Sequence, residues 1–167
     1  MRDPYIQSLI SSYCHRGILV DTNILLLFFV GSVNRKRISR FSRTEKYTID
    51  DFELLLSAFK TFSQVITTPH ILTEVYNFIN QIGDPDRSLC LKEMAHVVQH
   101  LPKFQEVLIE SKQITKSPGF IKFGLTDCGI QEVAQGEYLV LTDDLRLASY
   151  LGSQGLDVLN FNHIRLL

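Results

Sequence analysis

The sequence predicts a fold of the α/β class, a three-layer sandwich with a central parallel sheet between two layers of helices. Two observations predict it. Short apolar runs alternate with amphipathic helical patterns along the chain, which is the order that parallel β-α-β units produce. Most of these runs are nearly continuous in apolar residues, as in strands that are buried on both faces. The runs lie at 18–21, 65–66, 138–141 and 157–161, so we expect four strands.

Capping residues and helix breakers set the predicted helix ends. Asp3 and Pro4 suit an N-cap and a first helical turn, and Pro69 suits the first turn of a later helix. Thr126 is the expected N-cap of a helix that Gly136 ends. The predicted helices, in order, are 4–15, one from 22, one from 50, 69–83, 88–101, 104–114, 127–134 and 143–151.

Length and composition are those of one globular domain spanning 1–167. Apolar residues make up 45% of the chain and charged residues 21%, an ordinary balance. The longest apolar run, 24–30, is far shorter than the roughly 20 residues of a membrane span, and no signal peptide is recognisable. We therefore expect a cytoplasmic protein without a membrane partner. Cys14, Cys90 and Cys128 show no Cys-x-x-Cys spacing, so neither a disulfide framework nor a zinc knuckle is expected.

Positive charge is concentrated in one segment, 34–46. Six basic residues against the single acid Glu45 give this segment +5, which leaves −6 for the rest of a chain whose net charge is −1. We expect an inserted loop over 32–48, and a solvated loop explains such a run as simply as a nucleic-acid contact does. Taken with the carboxylates below, the run favours contact with a phosphate backbone. The expected contact residues are Arg35, Lys36, Arg37, Arg40 and Arg43.

Carboxylates stand where an α/β fold binds ligands. Asp21 follows the first strand-like run, and Asp143 and Asp144 follow the third. The carboxyl ends of parallel strands meet at one edge of a sheet, so these side chains should lie close together. One such aspartate alone is more simply a helix N-cap, and Asp127 alone is a first-turn acid near the helix dipole. Clustered carboxylates repel one another without a cation, so the set as a whole indicates a metal site.

Glu74 is harder to explain as a capping residue. It lies within the predicted helix 69–83, among Leu72, Val75 and Phe78, on a helix that is apolar on most sides. We expect it to be buried, and a buried glutamate needs a partner or a metal.

The order and context of these acids resemble the PIN-domain nucleases. The matching elements are Asp21-Thr22-Asn23, Glu74 in Thr73-Glu74-Val75, Asp127 in Leu125-Thr126-Asp127, and Asp144 in Thr142-Asp143-Asp144. The resemblance covers nearly the whole chain, with the N-terminal helix (1–16) and the basic segment as additions. It implies a PIN-like, Rossmann-like fold and hydrolysis of RNA that depends on one or two Mg²⁺ or Mn²⁺ ions. The implied catalytic residues are Asp21, Glu74, Asp127 and Asp144.

Either Asp143 or Asp144 could be the fourth acid of this site. The Thr-x-Asp spacing of the family selects Asp144 as the metal ligand and leaves Asp143 to cap the following helix, although Asp143 also stays a candidate ligand. Asn23 and Thr142 are expected to orient Asp21 and bound waters, because polar neighbours fix the geometry of metal ligands.

The resemblance also implies biological roles. Many small stand-alone PIN proteins are toxins of VapBC-type toxin–antitoxin pairs, so we expect an RNA substrate, an antitoxin partner and a homodimer. Two alternatives stay open. An inactive nucleic-acid-binding or scaffolding domain is disfavoured by the four intact acids. A structure-specific DNA nuclease is disfavoured because the chain lacks a helical arch and a helix-hairpin-helix element. A zinc site at His96 and His100 lacks further ligands.

Overall fold

Five strands form one parallel sheet in the computed structural model, which describes residues 3–165. The strands are β1 (Ile18–Val20), β2 (Val65–Thr67), β3 (Phe104–Glu106), β4 (Leu139–Thr142) and β5 (Val158–Asn160). Their order across the sheet is β3-β2-β1-β4-β5, and every neighbouring pair is parallel. Helices flank the sheet, so the predicted α/β three-layer sandwich with a parallel sheet is confirmed.

The helices connect successive strands. They are α1 (Pro4–Tyr13), α2 (Thr22–Val33), a 3₁₀ helix (Arg35–Arg40), α3 (Ile49–Thr61), α4 (Pro69–Ile79), α5 (Asp86–His100), α6 (Ser111–Ile114), α7 (Phe120–Ala134), α8 (Leu145–Ser153) and α9 (Phe161–Ile164). The predicted cap of α1 is confirmed, since the Asp3 carboxylate accepts the N–H groups of Tyr5 and Ile6. Within residues 3–165, no helix has the length and apolar character that crossing a membrane requires.

The neighbouring strands β1 and β4 bring the loop with Asp21 and the loop with Asp143 and Asp144 together. Leu19 pairs with Val140 across the two strands, and the N–H of Asp21 donates to the carbonyl of Leu141 at 3.0 Å. Because the strands are parallel, the residues that follow them emerge at the same edge of the sheet.

The core is built around α2, which is apolar on every side. A helix of this kind is buried all round rather than along one stripe. It packs against the sheet at β4 and against α3, α4 and α5. The side chains without any solvent exposure are those of Ile24, Leu25, Leu26, Leu27 and Phe29. This burial fixes the N-terminus of α2 at the sheet edge, next to Asp21.

The predicted helix over 104–114 is wrong in its first half. Residues Phe104–Glu106 pair with β2 as an edge strand, and only Ser111–Ile114 is helical. An edge strand buries few of its side chains, and here Gln105 and Glu106 are exposed. The strand therefore lacks the continuous apolar run that marks the central strands.

The basic segment is not the expected loop throughout, because Arg35–Arg40 forms a 3₁₀ helix. From Ile38 to Tyr47 a buried residue recurs at every third position, although only Ile38 of this set lies within the 3₁₀ helix. These residues are Ile38, Phe41, Thr44 and Tyr47. The segment is thus anchored to the core along one side.

Candidate active site

Asp21 is buried at the carboxyl end of β1. Its carboxylate accepts hydrogen bonds from the N–H of Thr22 and from the hydroxyl of Thr142, each at 2.6 Å. Burial raises the pKa of Asp21 to about 6, an effect that the two hydrogen bonds oppose and the charges of Asp143 and Asp144 reinforce. The hydrogen bonds hold the carboxylate in one orientation, and its neighbours make the charge costly.

Asp143, the residue after β4, is enclosed by donors. Its carboxylate accepts a hydrogen bond from the Tyr47 hydroxyl at 2.5 Å and one from the Asn23 amide at 3.2 Å, and it forms an ion pair with Lys46. Burial alone would raise the pKa of Asp143, but these donors lower it below its usual value. The expectation that Asn23 orients Asp21 is therefore not met, since its amide donates to Asp143.

Asp144 is the N-cap of α8, which corrects the expectation that Asp143 caps this helix. One carboxylate oxygen, Oδ1, accepts the N–H groups of Arg146 at 2.6 Å and Leu147 at 3.1 Å. The N–H of Asp144 itself donates to the Thr142 hydroxyl at 3.0 Å. The side chain is exposed, and its charge acts on the other acids at the same edge.

Glu74 reaches the site from α4 and is held by two threonines. Its carboxylate accepts the hydroxyl of Thr22 at 3.0 Å and the hydroxyl of Thr126 at 2.7 Å. The glutamate is half-buried rather than buried, which corrects our expectation. Gly124 interrupts α7 with a non-helical backbone conformation, so a helical segment does begin next to Thr126, as predicted. The Thr126 hydroxyl does not cap this segment, however, and instead joins α7 to α4 by donating to Glu74.

Asp127, on α7, has the opposite surroundings to Asp143. No hydrogen bond reaches its carboxylate from residues 3–165. Burial raises the pKa of Asp127 to about 7, and the charges of Asp21, Asp144 and Glu74 add to the rise, while Arg146 opposes it. The structure thus brings these four acids within electrostatic reach of one another.

The donor chemistry fits a hard divalent cation, but the geometry is not a closed site. Oxygen ligands from carboxylates are those that Mg²⁺ and Mn²⁺ take, and the Asp127 carboxylate has no other partner. Across residues 3–165, however, no three His, Cys, Asp or Glu side chains lie close enough together to hold one ion. Binding a cation here would therefore draw the acids together.

Part of the basic segment is already neutralised by acids. Arg35 forms an exposed ion pair with Glu53 at 2.7 Å, and the half-buried Arg37 lies 3.8 Å from Asp86. An exposed pair of this kind contributes little to stability, but Arg37 is less available to a ligand than the sequence suggested. The segment's cationic side chains without any ion pair or hydrogen bond to residues 3–165 are those of Lys36 and Arg40.

The other end of the basic segment borders the acids. The guanidinium of Arg43 lies 4.1 Å from the ring centroid of Phe78, one helical turn along α4 from Glu74. Lys46 forms the ion pair with Asp143 described above. Positive charge therefore adjoins the acidic edge of the sheet on the side of α4 and of β4.

Sequence reasoning missed four residues of this site: Thr22, Thr126, Lys46 and Tyr47. The threonines stand beside motif acids, so their adjacency was a usable signal. Tyr47 is fully buried, and the three-residue apolar repeat to which it belongs would have identified it. Lys46 was read as one more basic residue, and nothing in the sequence pairs it with Asp143.

Comparison with known proteins gives no family assignment: no family model and no curated protein matches this chain. The likeness to the PIN-domain nucleases therefore rests on the four acidic motifs described above.

Proposed function

We propose that this chain is a Mg²⁺- or Mn²⁺-dependent endoribonuclease whose site is formed by Asp21, Glu74, Asp127 and Asp144. The observation that carries the proposal is the Asp127 carboxylate. It lies at the carboxyl edge of a parallel sheet, has no hydrogen-bond partner among residues 3–165, and is repelled by the other three acids. A protein that kept such a group for structure alone would gain by replacing it, whereas a cation would make the four charges stabilising.

The roles of the residues follow from their contacts. Asp21, Glu74, Asp127 and Asp144 would hold the ion, which supplies Lewis-acid stabilisation and activation of a water nucleophile in phosphodiester hydrolysis. Thr142 fixes the Asp21 carboxylate, and Thr22 and Thr126 fix Glu74. Such fixed orientations reduce the reorganisation that ion binding requires.

Asp143 has a different role in this proposal. Its carboxylate is engaged by Tyr47, Asn23 and Lys46, so we assign it to bracing the junction of β4 and α8 rather than to holding the ion. Arg43 would contact the RNA backbone near the acids, and the unpaired Lys36 and Arg40 would contact it farther along the strand, so the binding should weaken as salt rises.

Purified protein incubated with single-stranded RNA, duplex RNA and single-stranded DNA tests the proposal. We expect cleavage of RNA in Mg²⁺ or Mn²⁺, products with 5′-phosphate and 3′-hydroxyl ends, and no cleavage in EDTA or by Asp21→Asn. Cleavage that persists in EDTA would overturn the metal dependence. Cleavage confined to DNA, flap substrates included, would assign the site to a DNA nuclease.

Two observations favour the second candidate, a nucleic-acid-binding domain without activity. Lys46 supplies a positive charge to Asp143 at the acidic edge, and among residues 3–165 no three acids lie close enough together to hold one ion. RNA binding without cleavage under any divalent metal would select this candidate.

The toxin role, an antitoxin partner and a homodimer belong to the same proposal and are supported by the family resemblance alone. Expression of the chain should then arrest growth, and expression of Asp21→Asn should not. Sedimentation of the purified protein gives its oligomeric state.

A further inference from the structure

A second candidate binding surface lies beside the acids, in a cleft of about 490 Å³ between α7 and α8. We call it the aromatic cleft and define it by Lys122, Phe123, Leu145, Arg146 and Tyr150. The rings of Phe123 and Tyr150 are stacked, with centroids 4.2 Å apart and planes inclined by 20°. Phe123 is half-buried rather than buried, so this aromatic pair is not simply part of the core.

Contacts on α7 fix the position of the Tyr150 ring. The Tyr150 hydroxyl donates to Gln131 at 3.0 Å. A Cβ atom at Gly119 would lie only 2.4 Å from that hydroxyl, so only glycine permits this approach. Gly124, with φ of 80°, interrupts α7 directly after Phe123, a conformation that glycine adopts without strain. The backbone thus bends at the point where the Phe123 ring is presented.

Two cations, Lys122 and Arg146, border the rings. Neither Lys122 nor Arg146 forms an ion pair within residues 3–165. The exposed Lys122 side chain places its ammonium over the Phe123 ring, 5.0 Å from the centroid, so a base that stacks on this ring would displace the ammonium toward its own phosphate. Leu145 beside them is 57% exposed. An aromatic face with unpaired cations around it is complementary to a nucleobase flanked by phosphates.

The aromatic cleft adjoins the acids on the side away from the basic segment. Asp144 directly precedes Leu145 and caps the helix that carries Arg146, and the charge of Arg146 acts on Asp127. On the other side, Lys46 contacts Asp143. The acidic edge is therefore bracketed by cationic surface on both sides, as a strand of anionic substrate lying across it would require.

We propose that the aromatic cleft binds one unpaired nucleotide of single-stranded RNA, with its base against Phe123 and its phosphates at Lys122 and Arg146. This inference rests on the proposed function, because the nucleotide would lie next to the bond that is cleaved. An unpaired base is required, since the bases of duplex RNA are stacked within the helix and cannot reach an aromatic side chain.

The test is the affinity for a 5′-labelled single-stranded oligoribonucleotide, measured by fluorescence anisotropy in EDTA so that no cleavage occurs. Phe123→Leu keeps an apolar side chain but loses the aromatic face, and should weaken binding roughly tenfold. Phe123→Trp should bind as tightly as the unchanged protein. The double variant Lys122→Gln/Arg146→Gln should flatten the log–log salt dependence by about 1.4, at about 0.7 for each phosphate contact in a single strand.

Two control variants change residues of the same kinds on other parts of the surface. Tyr76→Leu removes a 47%-exposed aromatic side chain on a different face of α4 from Glu74, and Lys92→Gln removes an exposed cation on α5. Both should bind as the unchanged protein does, and Phe123→Leu should bind duplex RNA as the unchanged protein does. Thermal melting shows that Phe123→Leu is folded.

The outcomes separate this inference from the proposed function. RNA cleavage together with binding that Phe123→Leu leaves unchanged overturns the aromatic cleft alone. Binding that depends on Phe123 without any cleavage overturns the nuclease and keeps the cleft. Preference for single-stranded DNA over RNA of the same sequence overturns the assignment to RNA. Absence of binding to any single strand overturns the aromatic cleft, and absence of RNA cleavage in Mg²⁺ and Mn²⁺ as well overturns both proposals.

Discussion

Asp143 and Asp127 lie at the same edge of the same sheet and have opposite surroundings. Asp143 receives donors from Tyr47, Asn23 and Lys46, and its pKa is lowered. Asp127 receives no hydrogen bond from residues 3–165, and burial and repulsion raise its pKa to about 7. Three donors satisfy the Asp143 carboxylate, whereas only the charge of Arg146 opposes the repulsion that acts on Asp127. The contrast teaches that acids gathered at one edge need not share one role, and that an ion pair with Lys46, rather than distance, separates Asp143 from the four candidate ligands.

The largest effect that we expect is the loss of RNA cleavage when Asp127 is substituted. Asp127→Asn keeps the size of the side chain and removes its charge, so we expect RNA cleavage to fall at least about 1000-fold. The fold should stay intact, because no hydrogen bond within residues 3–165 depends on this carboxylate. Single-turnover rates in Mg²⁺ and thermal melting measure the two effects. Glu137→Gln, which removes an exposed acid after α7, is the matched control. An Asp127→Asn protein with the rate of the unchanged enzyme would remove Asp127 from the site.

Substitution of Asp143, the acid with three donors, should lower the stability of the fold. Asp143→Asn breaks the ion pair with Lys46 and leaves the buried Tyr47 hydroxyl with a weaker acceptor, which we expect to cost about 3 kcal/mol of unfolding free energy. Urea denaturation without metal measures it, and Asp127→Asn in the same experiment should be as stable as the unchanged protein or more so. If the two variants exchange these phenotypes, the roles assigned to the two acids are reversed.

The same contrast predicts how the stability of the metal-free protein depends on pH. The pKa values of Asp21 and Asp127 are raised to about 6 and about 7 from an ordinary value of 3.8, so the folded state binds these protons more tightly than the unfolded chain. The metal-free protein should therefore lose stability as pH rises from about 5 to 8, by roughly 2 kcal/mol after a discount for the partial exposure of Asp127. Asp143, whose pKa is lowered, contributes stability that is lost only in acid, outside this window.

Urea denaturation at several pH values in EDTA checks this expectation. The double variant Asp21→Asn/Asp127→Asn should show a flatter profile, since both raised groups are gone. A profile for the unchanged protein that rises between pH 5 and 8 would contradict the electrostatic description of the acidic edge.

The sequence predicted the centre of this molecule better than its periphery. The continuous apolar runs of β1, β2 and β4 follow from burial on both faces, and parallel pairing then places Asp21 beside Thr142. The edge strand β3 carries exposed Gln105 and Glu106, so no local pattern marked it. The 3₁₀ helix has a single buried residue, Ile38, so no apolar period within Arg35–Arg40 marked it.

The roles of Asp143 and Asp144 could not be read from local sequence. Thr-x-Asp spacing and capping preference both concern near neighbours, whereas the orientation of Asp143 is set by Tyr47, which lies 96 positions away along the chain. The pairing of Lys46 with Asp143 depends on the path of the basic segment across the surface. Long-range contacts of this kind decide which of two adjacent carboxylates is satisfied, and only the folded structure reveals them.

The smallest effect that we expect is a difference in the salt dependence of RNA binding between variants that lack free cations and variants that lack paired cations in the basic segment. Lys36→Gln/Arg40→Gln removes two cations that have no partner among residues 3–165, and should flatten the log–log salt dependence of RNA binding by up to about 1.4. Arg35→Gln/Arg37→Gln should change it less, because Glu53 and Asp86 already offset those charges. Arg35 follows the C-terminal end of the 12-residue α2, about 18 Å along the helix from Asp21, so the difference should appear with long oligonucleotides and vanish with very short ones. Anisotropy titrations at several salt concentrations with two RNA lengths measure this. Equal slopes for the two double variants would show that the ion pairs open when RNA binds, and would extend the binding surface to the whole segment.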